Sequence, residues 1–103
     1  LRELVARVRS DRLRGSDVAE PTITVTNLGE GSIDEVFGVI YPPQVALVGF
    51  GGIVARPWVV DDHVEVRPVV RATVAADHRA SDGHDGARFL AALDRRLQQP
   101  EAL

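Results

Sequence analysis

The stretch Ala72-Thr73-Val74-Ala75-Ala76-Asp77-His78-Arg79-Ala80-Ser81-Asp82-Gly83 decides how the rest of this chain is read. Its hydrophobic period changes part-way through. Before it, Val64, Val66, Pro68, Val70, Ala72 and Val74 fall on one strand face, and Glu65, Arg67, Arg71 and Thr73 on the other. After it, from Gly83 to Gln98, Ala87, Leu90, Leu93 and Leu97 follow helical spacing, with Arg95 and Arg96 near the C-terminal end of the dipole and Pro100 as the stop. Strand end, tight turn and helix start put His78 at the margin of a sheet, where an imidazole can serve as a base near neutral pH.

Working outward, Val59-Val60, the turn Asp61-Asp62-His63 and the run from Val64 read as a hairpin, with Pro68 marking an edge or bulge. Gln44 to Phe50 is an almost continuous apolar run of strand length, as expected of a strand buried on both faces. Thr22 to Leu28 alternates and is rich in β-branched residues, ending at Gly29 and Gly31. Between these strands, Ile33 to Ile40 and the pair Pro42-Pro43 read as irregular or extended chain. Arg12 to Pro21 reads as a connector. Leu1, Leu4, Val5 and Val8 give a first helix over Leu1–Ser10 that begins uncapped, as in an excerpt of something longer. The layout predicts an α/β (α+β, two-layer) domain with a mixed sheet packed against helices.

Composition narrows the chemistry. A chain of 103 residues holds one domain, and a net charge of −3 gives no electrostatic case for nucleic acid or an anionic membrane. No apolar run is long enough to span a bilayer, and no signal-peptide pattern opens the chain, so the expected setting is cytoplasmic. The preference for Arg, Ala, Val and Asp over Lys and Ile suggests a GC-rich bacterial coding bias. The absence of cysteine excludes disulfides, thiolate metal sites and a cysteine nucleophile. All 12 basic residues are arginine, which excludes Schiff-base chemistry and a lysine-linked prosthetic group on this segment.

Of the three histidines, His63 lies in a polar turn and His84 in the first turn of a helix, and both read as solvated. His78 closes a half-buried strand, where a structural role and a catalytic one both remain open. Asp82, three residues before Asp85, reads as a capping-box residue, a role compatible with a catalytic one. Asp77, His78, Asp82, His84 and Asp85 crowd together, but adjacent strand residues point apart and the spacing matches no zinc pattern, so no metal is expected. Gly49, Gly51 and Gly52 match no dinucleotide fingerprint; they read as room for an extended ligand or another backbone beside a strand.

Asp77-His78-Arg79-x-x-Asp82-Gly83, followed by Ala87-Arg88-Phe89-Leu90, resembles the signature of the dihydrolipoamide acyltransferases. These are core subunits of 2-oxo acid dehydrogenase complexes, built on the chloramphenicol acetyltransferase fold. Thr24-Val25-Thr26-Asn27-Leu28-Gly29 is similar to the family's T-I-S/T-N-L-G strand, and Pro42-Pro43-Gln44-Val45-Ala46-Leu47 to its P-P-Q-V-A-I strand. The three motifs stand in family order and span essentially the whole chain.

The resemblance implies an acyltransferase that exchanges an acyl group between the thiols of dihydrolipoamide and coenzyme A. It makes His78 the general base, Thr26 the hydroxyl that stabilises the oxyanion, and Asp82 the residue that orders the loop. Thr26, Asn27, Gly51, Gly52 and Ile53 become contacts for the pantetheine arm. It further implies a homotrimer, with His78 and Thr26 contributed by neighbouring subunits, assembling into a larger core with the dehydrogenase and dihydrolipoamide dehydrogenase subunits. Residues 1–103 would be the C-terminal half of the catalytic domain, without lipoyl or subunit-binding domains, so the lipoyl group is carried elsewhere. Phe37-Gly38 replaces the family's usual Thr-Pro, and acyl specificity (acetyl, branched-chain or succinyl) is not readable. The contrasting expectation is a non-catalytic scaffold subunit of the same fold; a small standalone binding module is a third reading.

Overall fold

The computed structural model describes residues 2–11, 21–29 and 33–102. The expected connector over 12–20, together with Leu1 and Gly31, lies outside the described residues. Helix α1 covers Arg2–Arg9. Strands β1 (Ile23–Asn27), β2 (Ala46–Phe50), β3 (Val54–Val60), β4 (His63–Val69) and β5 (Ala72–Ala76) follow, then helix α2 (Gly83–Leu97) and a 3₁₀ turn over Pro100–Ala102. No helix among the described residues is long and apolar enough to cross a membrane.

The strands form two sheets. In the first, β2 is central, parallel to β1 and antiparallel to β5, which makes the sheet mixed as expected. Most of its residues are small or β-branched, and Val48, at its centre, is 3% exposed. Helix α2 packs on β5, with Gly86 lying over Val74. The segment 33–41, irregular as its punctuated sequence predicts, lies against the opposite face. There Gly49 sits between Val36 and Thr73, and the Thr73 hydroxyl donates to the Val36 carbonyl. Gly38 leaves the space that the Leu47 side chain fills.

The second sheet is the β3–β4 hairpin. Asp61 and Asp62 both lie in the left-handed region (φ 49° and 68°), the pairing a tight two-residue turn requires, and aspartate tolerates it better than most residues. His63 is therefore the first residue of β4 and not part of the turn.

The run from Val64 to Val74 corrects the sequence expectation of one continuous arm. Alternation passes through it unbroken, yet β4 ends at Val69 and β5 starts at Ala72 in the other sheet. Between them the Arg71 carbonyl accepts the Gly51 amide at 3.0 Å, turning the chain toward β2. The helical stripe is also shifted. Ala87 is exposed, and Gly86, Leu90 and Leu93 face inward.

Much apolar side chain stays in solvent. Val59, Val64 and Val66, on the outer face of the hairpin, are 70%, 67% and 73% exposed. The total accessible surface of 8482 Å² exceeds the roughly 5,700 Å² that a compact monomer of this mass presents.

Candidate functional site

His78 stands just beyond β5, in a turn whose backbone is tied down on both sides. The Asp77 amide donates to the Val45 carbonyl at 2.8 Å, extending the β2–β5 ladder by one rung. The Asp77 carbonyl accepts the amides of Ala80 and Ser81, at 2.9 and 3.0 Å. The Asp77 side chain then closes the turn from outside. Its Oδ1 accepts the Arg79 backbone amide at 2.9 Å and Nε at 3.1 Å, while Oδ2 accepts Nη2 at 2.8 Å. Hydrogen bonds from the Arg79 guanidinium, and then from its amide, hold the Asp77 carboxyl down at about 2. The same pairing raises the Arg79 guanidinium further.

Four residues on, Asp82 caps α2. Its Oδ1 accepts the Asp85 amide at 2.9 Å, and the Asp85 carboxylate accepts the Asp82 amide at 3.0 Å. This is the reciprocal capping box expected from the Asp-x-x-Asp spacing. Hydrogen bonding from the Asp85 amide lowers the Asp82 carboxyl below the usual range. Between these two fixed carboxylates the His78 ring is exposed, and among the described residues neither ring nitrogen has a hydrogen-bond partner. A rigid backbone carrying an imidazole with an open lone pair is an arrangement that can take a proton from an incoming thiol.

Thr26 is half-buried near the end of β1, level with Gly49 of β2 and, through it, with Thr73 of β5. His78 lies five residues past Thr73, beyond the opposite end of the sheet. At ordinary strand rise and spacing this is a separation on the order of 19 Å. One chain alone does not bring the hydroxyl and the imidazole together. Asn27 is exposed, and its side chain accepts the Gly29 amide at 2.8 Å, which shapes the turn leaving β1.

The glycines after β2 have a structural use. A Cβ on Gly51 would lie 1.9 Å from the Asp34 carbonyl oxygen, and the Gly52 amide donates to the Ile33 carbonyl at 2.7 Å. Both are buried, and both amides are engaged within the chain. Of the two occupants the sequence allowed beside this strand, an extended ligand or another backbone, the chain's own segment 33–35 is the one found against Gly51 and Gly52. Ile53, 72% exposed, is the open member of the trio.

The other two histidines behave as their sequence context suggests. His63 is exposed, with Nδ1 3.1 Å from the Asp61 carbonyl and Nε2 3.6 Å from Glu65; His84 is exposed on α2. Among the described residues no three His, Cys, Asp or Glu side chains gather as a metal ion would need. Two contributors went unassigned from sequence. Arg79 is one, and an aspartate two residues before an arginine at a strand end is the signal that could have found it. Gln44 is the other: its side chain accepts the Thr24 hydroxyl, joining β1 to the segment beside the His78 turn.

The matches to known proteins agree with one another. The family model for the 2-oxoacid dehydrogenases acyltransferase (catalytic domain) covers residues 1–103. The dihydrolipoyllysine-residue acetyltransferase component of the pyruvate dehydrogenase complex of Zymomonas mobilis is 35% identical over 100 residues, 97% of this chain and 23% of that protein. An uncharacterised protein of Mycobacterium tuberculosis is 50% identical over 70 residues, 68% of this chain and 88% of that one.

Among solved structures, a probable dihydrolipoamide acetyltransferase from Listeria monocytogenes superposes with a TM-score of 0.89 at 32% identity, over 95% of this chain and 42% of that one. The dihydrolipoamide acetyltransferase of Azotobacter vinelandii, studied for the role of a serine, a histidine and an asparagine in its catalytic mechanism, gives 0.84 at 26% identity, over 98% and 42%. The cubic core of the pyruvate dehydrogenase multienzyme complex gives the same values. The chain thus spans under half the length of these structures and about a quarter of the Zymomonas protein. With a family model matched end to end and a fold shared at this level, the chain belongs to the acyltransferase family of the 2-oxoacid dehydrogenases, within its catalytic domain.

Proposed function

We propose that this chain supplies the base-bearing half of a dihydrolipoamide acyltransferase site, in which His78 takes the proton from the attacking thiol. The acyl group passes between coenzyme A and dihydrolipoamide, whose lipoyl group is carried on a domain outside these residues. Relatives named as acetyltransferases favour acetyl over branched-chain or succinyl groups. One observation carries the reading. The serine, histidine and asparagine of the Azotobacter enzyme are spaced in sequence as Thr26, His78 and Asp82 are here, 52 residues from hydroxyl to imidazole and 4 more to the third group. Threonine for serine keeps the hydroxyl. Aspartate for asparagine keeps a side-chain oxygen that can cap a helix.

The geometry supports this assignment. Proton transfer from a free thiol to a free imidazole is uphill by roughly 2.7 kcal/mol, a small part of an acyl-transfer barrier. Position and oxyanion stabilisation must supply most of the acceleration, and the locked turn around His78 meets the first need. Thr26 would meet the second with a hydrogen bond to the developing oxyanion. The separation of Thr26 from His78 within one chain supports a site built between two protomers, as in a trimer that assembles further into a core with the dehydrogenase and dihydrolipoamide dehydrogenase subunits. Asn27 and Ile53 are the contacts we assign to the pantetheine arm, in the cytoplasm of a bacterium.

Acyl transfer from acetyl-CoA to dihydrolipoamide by the full-length protein tests the proposal. Turnover lost in His78→Ala with the assembly unchanged supports it, and unchanged turnover removes His78 from the mechanism. The short Mycobacterium relative, covered over 88% of its length, favours a second reading in which such a segment acts alone without transfer activity. Solution mass near that of a monomer, with no turnover, selects that reading.

A further inference from the structure

We infer that Asp77 and Arg79 form a positioning pair for His78, holding its backbone while keeping the adjacent carboxylate occupied and neutralised. This rests on His78 being the base. The two residues flank His78 in sequence, and the hydrogen bonds between them close across it. The Asp77 amide anchors the turn to β2 through Val45, its carbonyl collects the amides of Ala80 and Ser81, and its carboxylate takes three groups of Arg79: the backbone amide, Nε and Nη2. His78 is therefore the single residue inside a closed loop of hydrogen bonds, with its backbone direction fixed from both sides.

The electrostatic consequence is as important as the geometric one. A free carboxylate next to an exposed imidazole would favour the ring's protonated form and leave less of it available as a base near neutral pH. The positive charge of Arg79 offsets this, and its guanidinium fork also engages both Asp77 oxygens in a planar, two-pronged contact whose geometry lysine cannot reproduce. The other elements near the turn leave this balance to the pair. Strands β1 and β2 (ITVTN and ALVGF) carry no charged side chain. The charges of the first turn of α2 and its cap are Asp82 and Asp85, each bonded to the other's amide, with His84 exposed beside them.

The test is the pH dependence of kcat/KM for acetyl transfer by the full-length protein in Asp77→Asn, Arg79→Gln and the double variant, with His78→Ala as control. In Arg79→Gln the unpaired carboxylate should move the midpoint of the acidic limb to higher pH by roughly half a unit or more. In Asp77→Asn the unpaired guanidinium should move it to lower pH. The double variant, with neither charge, should return it toward the parent's value even though its turn is loosened. Arg79→Lys, which restores charge without the fork, should recover the midpoint and leave kcat low. Midpoints that coincide in both single variants overturn the inference, whatever happens to kcat. Should a single variant fail to assemble, the other and Arg79→Lys still decide the direction. Activity retained in His78→Ala would instead sink the functional reading beneath it, and the two failures are distinct.

Discussion

Two histidines in this chain each follow an aspartate, and they meet opposite fates. His63, after Asp62, opens β4 with its ring against the Asp61 carbonyl and near Glu65. The bonds there are made by the ring, while the turn before it depends on two aspartates in left-handed conformations. At His78 the bonds are made by the neighbours: Asp77, Arg79, Ala80 and Ser81 close the turn, and the ring is left open. A histidine whose ring is engaged serves structure. One whose backbone is held while its ring is open is equipped for proton transfer.

The largest expected effect separates the two directly. In the full-length protein His78→Ala should lower kcat about a thousandfold or more, the upper range for loss of a general base, whereas His63→Ala should leave turnover within about twofold. Equal losses in steady-state assays would erase the distinction. Thr26→Val should lower kcat by roughly a hundredfold while changing KM for coenzyme A little, as expected for a donor that acts in the transition state. A raised KM with unchanged kcat would assign Thr26 to ground-state binding.

Smaller effects test the scaffolds of the two turns. Asp82→Ala removes the cap of α2 and should lower the urea midpoint, against little change for Asp62→Asn, which tolerates the same backbone. The acid response should also differ. Asp77 has its carboxyl lowered to about 2, so its bond to Arg79 contributes fully above the unfolded carboxylate range near 4 and is lost as pH falls toward 2. NMR signals of the Arg79 side chain should follow that window. If they are flat from pH 5 to 2, the pairing is absent in solution.

The sequence made some of this legible and hid the rest for physical reasons. Helix α2 and its cap were readable because helical period and capping chemistry are local. Strands β1 and β2 were readable because their β-branched and apolar runs end at glycine or proline. The break at Val70–Arg71 was not, since alternation has the same period in both sheets and only the choice of partner strand changes there. The purpose of Gly51 and Gly52 was half legible: a close approach was expected, but its occupant, the backbone at 33–35, is distant in sequence. At the site, His78 and Asp82 stood out by motif. Arg79 gained its role only when the turn folded its guanidinium back onto Asp77.

The contact at Gly51 has a practical corollary. With a carbonyl oxygen 1.9 Å from where even a methyl group would begin, randomising that codon should return glycine alone among properly folded clones. The spot offers protein engineers a negative control: a substitution there ruins the product without touching the His78 imidazole, and so reports how much lost yield any other library owes to folding alone.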